Sequence, residues 1–347
     1  STKLFFFFKN QLTTVRKRYR IHYVDKFKVR IFNERKLNNQ EQRSSPADAH
    51  SQFSHGGLFL FSLEEFIMNA DIGFMLICSA LVFFMTPGLA CFYGGLVRKK
   101  NAVNTMMTSI FIIGTGIVMW VLFGYSLSFA PTDNGIIGNF SWLGLEGVSL
   151  EKGYTDSATI PNMVFCCFQM MFAVITPALI TGSVAGRMKF KSLFVFIILW
   201  SFVVYYPLAH MVWAQDGLLG LDGIGALDFA GGDVVHISSG VSALILCILL
   251  GKRKDYDHAA YRVHNIPTVM IGASLLMFGW FGFNAGSALS ANGQAAHAFM
   301  TTAVSAAAAL LSWMLCDVIK NKKPTLIGAC TGMVAGLVGI TPGAGFV

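Results

Sequence analysis

The sequence predicts an all-α integral membrane protein, and two observations carry that prediction. Apolar residues make up 54% of the chain and charged residues only 13%, about half of the roughly 25% that soluble domains carry. Beyond position 70 the apolar residues fall into continuous runs of about 20 residues, the length of a helix that crosses a bilayer. Because these runs are continuous rather than alternating, we do not expect the strands of a membrane β-barrel.

The apolar runs divide the chain into two regions. Residues 1–65 form a basic, polar N-terminal extension with twelve of the 26 basic residues, and its composition predicts that it is disordered or not native to the protein. Residues 66–347 form the membrane domain. We expect its helices near residues 71–95, 103–130, 160–185, 191–214, 233–251, 265–289, 295–318 and 325–347.

The basic residues of the short loops predict the orientation of these helices. Thirteen of them follow every second apolar run: Arg98, Lys99, Lys100, Arg187, Lys189, Lys191, Lys252, Arg253, Lys254, Arg262, Lys320, Lys322 and Lys323. The opposite loops contain a single basic residue, Lys152, and several acids. Since positive loops stay in the cytoplasm, we expect a multi-pass cell-membrane protein with its N-terminus outside. Basic residues at this spacing do not predict binding to nucleic acid.

The motifs of common enzymes and metal sites are missing from the sequence. None of the seven cysteines shows C-x-x-C spacing, and no H-x-x-x-H, G-x-S-x-G or Gly-rich phosphate loop occurs. These patterns carry metal binding, nucleophilic catalysis and nucleotide binding. We therefore expect no enzyme activity, no metal and no cofactor.

Few ionisable residues lie within the apolar runs, and each is costly there, so each is a functional candidate. His236 is the strongest, since it lies inside the fifth run; packing between helices is the alternative interpretation. Asp228 precedes that run and is expected to accept hydrogen bonds from free backbone amides at the helix start. His210 and His297 lie near the ends of runs and are expected to act as interfacial anchors.

Several sequence segments resemble the ammonium transporter (Amt/Mep/Rh) family, on its bacterial-type Amt side. The segments are FYGGLVRKKN (92–101), AHMVW (209–213), GALDFAGGDVVH (225–236), GWFGFNAGS (279–287) and GLVGITP (336–342). They follow the order of the family, and the resemblance runs from about residue 66 to residue 347.

The resemblance implies a fold and a set of site residues. The family fold has eleven helices with an inverted repeat, assembles as a homotrimer and carries one pore per subunit. By the resemblance, the substrate-binding residues are Phe172, Trp213 and Ser287. The pore gate and lining are Phe172, Phe283, Trp280 and His236, and Asp228 supports the site.

The function implied is transport of ammonium or ammonia through a hydrophobic pore, with methylammonium as an analogue. Ammonium is recruited and deprotonated at the outer aromatic site, and ammonia passes the pore histidine. An ammonium sensor or receptor with the same pocket, and an Rh-type gas channel, stay open as alternatives. A cytoplasmic regulatory protein is a further candidate partner.

The sequence departs from the family pattern in two respects. Asp233 occupies a position where many relatives carry Thr. The second pore histidine of the family lies on its tenth helix, whereas this chain reaches about eight helices. We therefore expect the chain to be a fragment of the transporter domain, truncated at its C-terminus.

The loop charges generate a direct test of topology. A reporter fused after Lys323 is expected to report the cytoplasm, and one inserted within residues 146–156 the outside, because basic loops resist translocation. Protease or thiol accessibility of the two fusions measures this. The reverse pattern would show that the orientation is inverted.

Overall fold

The computed structural model describes residues 46–221, 223–253, 256 and 261–347, with side chains described from residue 67 onward. Most of the predicted N-terminal extension lies outside the described residues. Its last residues lie in the first helix, so the boundary at residue 65 stays a prediction. The α-helices are α1 (Pro46–Leu96), α2 (Lys99–Met119), α3 (Tyr125–Phe129), α4 (Asn162–Val184), α5 (Phe190–Trp200), α6 (Tyr206–Trp213), α7 (Ser238–Leu250), α8 (Ile266–Gly286), α9 (Gly293–Asn321) and α10 (Leu326–Ile340).

These helices form eight stretches that are long and apolar enough to cross a membrane. In order, spans 1 to 8 are Ile67–Leu96, Lys99–Phe129, Asn162–Val184, Phe190–Trp213, Gly232–Leu250, Ile266–Gly286, Gly293–Asn321 and Leu326–Gly343. Each lies within a few residues of its predicted run. Among the described residues, extended pairing is limited to one bridge between Gly153 and Pro161. The predicted all-α membrane fold is therefore confirmed.

Side chains just before three spans supply acceptors for free backbone amides. The Asn265 side chain accepts from the amide of Thr268, Asn292 from those of Gln294 and Ala295, and Thr325 from that of Gly328. The first amides of a helix have no partner within the helix, and leaving them unpaired near lipid is costly. These caps therefore define where spans 6, 7 and 8 begin.

Spans 1 and 6 pack so closely that their backbones touch. A Cβ atom added to Gly272 would lie 2.6 Å from the carbonyl oxygen of Gly88 and would also clash with the amide of Phe92. A Cβ on Gly282 would lie 2.6 Å from Cβ of Leu81. Small residues permit this approach, which membrane helices use for packing. The contact holds the helix that carries Trp280 and Phe283 against span 1.

The glycines of span 8 form a second close contact. A Cβ on Gly332 would lie 2.6 Å from Cβ of Trp313, and one on Gly336 would lie 2.5 Å from the carbonyl oxygen of Ser305. Ser305 also donates a hydrogen bond of 2.8 Å to the Gly336 carbonyl. The four-residue glycine spacing of the sequence therefore reflects packing between spans 7 and 8.

Three spans contain a π-helical segment that the hydrophobic pattern does not predict. The segments are Trp120–Gly124, Ser201–Tyr205 and Gly232–Ile237. A π-turn inserts one residue into the helical repeat, shifts the faces of the helix and often occurs at functional sites. The third segment opens span 5 and contains His236.

The backbone contact at Gly272 leads to a stability prediction. Gly272→Ala is expected to destabilise the protein by about 1–3 kcal/mol, because the added methyl group meets main-chain atoms that cannot move independently. Thermal unfolding in detergent measures the change. Gly114→Ala is the matched control in span 2, since a Cβ there meets nothing within 4 Å. Equal stability of the two variants would contradict the close packing of spans 1 and 6.

Candidate functional site

A small cavity of about 130 Å³ lies where one end of span 3 meets the ends of spans 4 and 6. Its lining residues are Phe165, Phe168, Gln169, Phe172, Trp213, Phe229, Ser287 and Leu289. The three residues that the family resemblance assigns to substrate binding, Phe172, Trp213 and Ser287, are therefore brought together. The cavity holds several aromatic rings and few polar groups, which is typical of a small-ligand site.

Aromatic rings close the inner side of the cavity. The Phe172 ring lies 5.7 Å from the Trp213 ring in an edge-to-face arrangement. On its other side, Phe172 lies 4.3 Å from Phe283, with 33° between the ring planes. Phe172 is 1% exposed and Phe283 is 0% exposed, whereas Trp213 is partly exposed. The ring pair therefore separates a reachable cavity from a buried interior.

The Ser287 hydroxyl has its proton committed to the protein backbone. Ser287 follows the last residue of α8, and its Oγ donates a hydrogen bond of 2.8 Å to the carbonyl oxygen of Phe283. A hydroxyl has one proton and two lone pairs. Its oxygen is thus free to accept from a donor in the cavity, while it has no second proton to offer.

Gln169 lies in the cavity wall, and the sequence analysis did not identify it. It precedes Phe172 by about one helical turn in α4, and it is 7% exposed. Among the described residues, its Oε1 has no hydrogen-bond partner. A buried amide oxygen without a partner is costly. The available signal was a polar residue within an apolar run. It was missed because the search of the apolar runs considered ionisable residues only.

Asp228 organises the backbone at the start of span 5. Its Oδ1 accepts from the amides of Gly231 and Gly232 at 2.6 Å each, and its Oδ2 accepts from those of Asp233 at 2.8 Å and Val234 at 3.0 Å. Burial raises the pKa of the Asp228 carboxyl, and the four amide donors oppose that shift. Both oxygens are fully engaged, so the carboxylate holds the backbone together.

The same loop positions Trp213. The indole Nε1 of Trp213 donates a hydrogen bond of 3.1 Å to the carbonyl oxygen of Asp228. Gly231, which follows closely, has a φ of 113°, a left-handed conformation that glycine adopts without strain. The loop therefore ties the aromatic wall of the cavity to the helix that carries His236.

His236 lies beyond the ring pair, in contact with two aromatic residues. Its imidazole stacks on Phe283 at 6.0 Å with 14° between the planes, and it lies 5.4 Å from the Trp280 ring. The Trp280 Nε1 donates to Oγ1 of Thr341 at 2.9 Å. In the described part of the chain, the buried Nε2 of His236 has no partner. A polar atom is thus available in an otherwise aromatic environment.

The expected role of His210 as an interfacial anchor is wrong. His210 is 0% exposed. Its Nδ1 lies 3.2 Å from the carbonyl oxygen of Ser128, and its Nε2 lies 3.5 Å from the carboxylate of Asp216. The imidazole packs between span 2 and the loop that follows span 4, and this contact buries it.

Known proteins with similar sequences are ammonium transporters. The family model described as Ammonium Transporter Family matches residues 73–347. An ammonium transporter of Bacillus subtilis is 52% identical over 278 residues, which is 80% of this chain and 67% of the relative. Ammonium transporter 1 of Schizosaccharomyces pombe is 40% identical over 307 residues, covering 88% of this chain and 61% of the relative.

Solved structures are similar as well. The crystal structure of Saccharomyces cerevisiae Mep2 matches with a TM-score of 0.74 and 38% identity, over 80% of this chain and 62% of that one. A structure titled "Sensor Amt Protein" matches with a TM-score of 0.74 and 26% identity, over 82% of this chain and 71% of that one. The chain thus spans roughly two thirds of the length of these relatives.

The fold resemblance seen in the sequence motifs is confirmed by these matches. The matched region covers well over half of the chain, and it contains all the helices that line the cavity. The chain belongs to the ammonium transporter family.

Proposed function

We propose that the protein moves ammonium nitrogen across a membrane by capturing ammonium in the aromatic cavity and passing ammonia along the buried path beside His236. The observation that carries this proposal is an unbroken series of contacts from the cavity to His236. The cavity, the Phe172–Phe283 pair and the His236 imidazole contact one another in sequence. The family membership and the names of the relatives support the substrate class.

Capture requires a replacement for the water that the cation loses. Phe172 and Trp213 line the cavity, and a cation held over an aromatic ring gains about 0.5–2 kcal/mol. Ser287 Oγ offers a lone pair, because its own proton is engaged with Phe283. Gln169 Oε1 offers a second acceptor. Ammonium can donate to these oxygens, whereas potassium, of similar size and charge, cannot.

Passage requires loss of charge. The interior beyond Phe172 is apolar, and moving a bare ion there is far more costly than moving a neutral molecule. Ammonium therefore gives its proton to water in the cavity, and ammonia proceeds past the ring pair. The Asp228 carboxylate does not take this proton, because four backbone amides occupy its oxygens. The unpartnered Nε2 of His236 then offers ammonia a hydrogen bond.

A sensor that uses the same cavity is the second candidate function. One similar structure is titled "Sensor Amt Protein", at 26% identity. Capture alone suffices for a sensor, so the cavity residues would matter and the path beyond Phe283 would not. Transport by the purified native protein in vesicles distinguishes the two, because accumulation inside the vesicle requires passage. A protein that binds ammonium without accumulating it would favour the sensor.

The family also implies a homotrimer with one pore in each subunit, and the family and the loop charges together imply a multi-pass cell-membrane protein with its N-terminus outside. We extend both to this protein as proposals. The cavity and the path are formed by residues of a single chain, so capture and passage do not depend on the number of subunits.

Removing the capture groups is expected to weaken transport mainly at low substrate. Trp213→Leu loses a cation–π contact of about 0.5–2 kcal/mol, which raises the half-saturating methylammonium concentration roughly 2- to 30-fold. Ser287→Ala loses a hydrogen bond to a charged donor and is expected to act in the same direction. Concentration-dependent uptake into vesicles measures both.

Two matched controls separate capture from general damage. Phe281→Leu removes an aromatic ring that stacks on Phe299 away from the cavity, and Ser312→Ala removes an exposed hydroxyl bonded to its own helix. Both are expected to transport normally. Wild-type affinity in Trp213→Leu and Ser287→Ala would show that the cavity is not the capture site.

Replacing the pore histidine tests passage separately from capture. His236→Ala is expected to reach the membrane but to lose transport or ammonium-over-potassium selectivity, since the path loses its polar partner for ammonia. Membrane yield, methylammonium uptake and potassium leak are measured together, with His264→Ala in an exposed loop as the control. Normal transport and selectivity at normal yield would mean that His236 has only a packing role.

A further inference from the structure

Asp71 is a buried carboxylate at the same end of the membrane domain as the cavity. It lies near the start of span 1 and is 4% exposed, although the four residues before it are exposed. Its two oxygens bind two distant segments. Oδ2 accepts a hydrogen bond of 2.5 Å from Oγ1 of Thr159, and Oδ1 accepts one of 2.7 Å from the amide of Ala291.

Each segment bound by Asp71 leads directly to one wall of the cavity. Thr159 lies three residues before Asn162, where α4 begins, and α4 supplies Phe168, Gln169 and Phe172 to the cavity. Ala291 lies four residues after Ser287, in the turn that supplies Ser287 and Leu289. The carboxylate thus joins the aromatic wall to the wall that carries the hydroxyl acceptor.

The turn that carries Ser287 makes few hydrogen bonds to other parts of the structure. Among the described residues, the remaining hydrogen bonds of residues 287–292 stay within residues 283–296. The turn also includes Leu289 with a φ of 56°, a left-handed conformation that is strained for a residue with a Cβ. Strained backbone persists only where its surroundings hold it. The hydrogen bond from the Ala291 amide to Asp71 connects this turn to span 1.

A neutral side chain would hold these two segments less well. Burying a carboxylate is costly unless its oxygens are hydrogen-bonded, and here both oxygens accept from a different segment. Asparagine could accept from the Ala291 amide through its oxygen and donate from its nitrogen to the Thr159 hydroxyl. Both contacts would then be neutral hydrogen bonds, which are weaker than the charge-assisted bonds that a carboxylate accepts.

We propose that Asp71 is a positioning residue that sets the separation between the Ser287 hydroxyl and the aromatic wall of the cavity. It acts on capture through Thr159 and Ala291 without contacting the substrate. This inference rests on the proposed function, because affinity for ammonium is the property that the separation controls.

The test compares variants that break one tie or both. Asp71→Ala is expected to raise the half-saturating methylammonium concentration about tenfold, and Thr159→Val about threefold, since loss of a single buried hydrogen bond has this range of effect. Asp71→Asn is expected to have a smaller effect than Thr159→Val, because asparagine can keep neutral hydrogen bonds to both segments. Maximal rates should stay within about twofold of wild type, because passage past His236 does not use these groups. Glu151→Gln removes an exposed acid at the same end of the domain and is expected to transport normally.

A double-mutant comparison identifies the route of the effect. If Asp71 acts by placing Ser287, the affinity loss in Asp71→Ala shrinks when Ser287→Ala is already present, because coupled residues are not additive. Full additivity would overturn the proposal. A lower maximal rate at an unchanged half-saturating concentration would also overturn it. So would an affinity loss in Asp71→Asn as large as that in Asp71→Ala together with wild-type affinity in Thr159→Val, because that result would show an effect of charge. If Asp71→Ala fails to fold, Asp71→Asn and Thr159→Val decide by the same criteria.

Hydrogen exchange keeps the inference separate from the proposed function. In the absence of substrate, Asp71→Ala and Thr159→Val are compared with wild type at residues 287–291. Faster exchange at these amides in Asp71→Ala supports the role of the Asp71–Ala291 hydrogen bond even if the wild-type protein shows no transport, and in that case only the proposed function fails. Unchanged exchange at these amides would overturn the role of Asp71.

Discussion

The arrangement of this protein depends on the cost of placing a charge in an apolar medium. Water solvates ammonium well, and the buried interior beyond Phe172 and Phe283 offers no comparable solvation. In the proposed function, the cavity supplies substitutes for this water at the last point that a hydrated cation reaches. Aromatic rings and two oxygen acceptors would replace part of the water shell, and the closed ring pair would admit only a neutral molecule. Under the same proposal, selectivity between ammonium and potassium follows from this cost, because potassium has no proton to leave behind.

Rigid support makes these few groups effective. The Asp228 carboxylate binds four amides, and the carbonyl of the same residue receives the Trp213 indole. Asp71 joins two other segments of the cavity wall. The four amide donors leave the Asp228 carboxylate no free oxygen with which to act as a base. In a medium of low dielectric constant, buried acids with fully satisfied oxygens hold the backbone in place, and a preorganised site loses less entropy when it binds a small ligand.

The helical architecture was predictable from the sequence, whereas its fine geometry was not. Span lengths follow from the bilayer thickness, so each predicted run lies close to an observed span. The π-segments were missed because a single inserted residue hardly changes an apolar pattern. His210 was misassigned because a loop buries it, and Gln169 was overlooked because its meaning depends on the aromatic residues that surround it. The roles of Phe172, Trp213 and Ser287 came from motif resemblance and not from periodicity.

The polar groups of the cavity offer lone pairs to a donor, whereas the polar group farther in is an imidazole nitrogen without a partner. Ser287 uses its proton on the backbone and presents lone pairs, and Gln169 Oε1 presents lone pairs as well. Both suit a cation with protons to donate. Farther in, the imidazole of His236 has an unpartnered nitrogen between Phe283 and Trp280. Ammonia both donates and accepts, so it can use that nitrogen in either tautomer, whereas a bare metal cation would gain one lone pair in place of a full hydration shell. The order of the groups therefore agrees with the proposal that the substrate is charged at the cavity and neutral at the histidine.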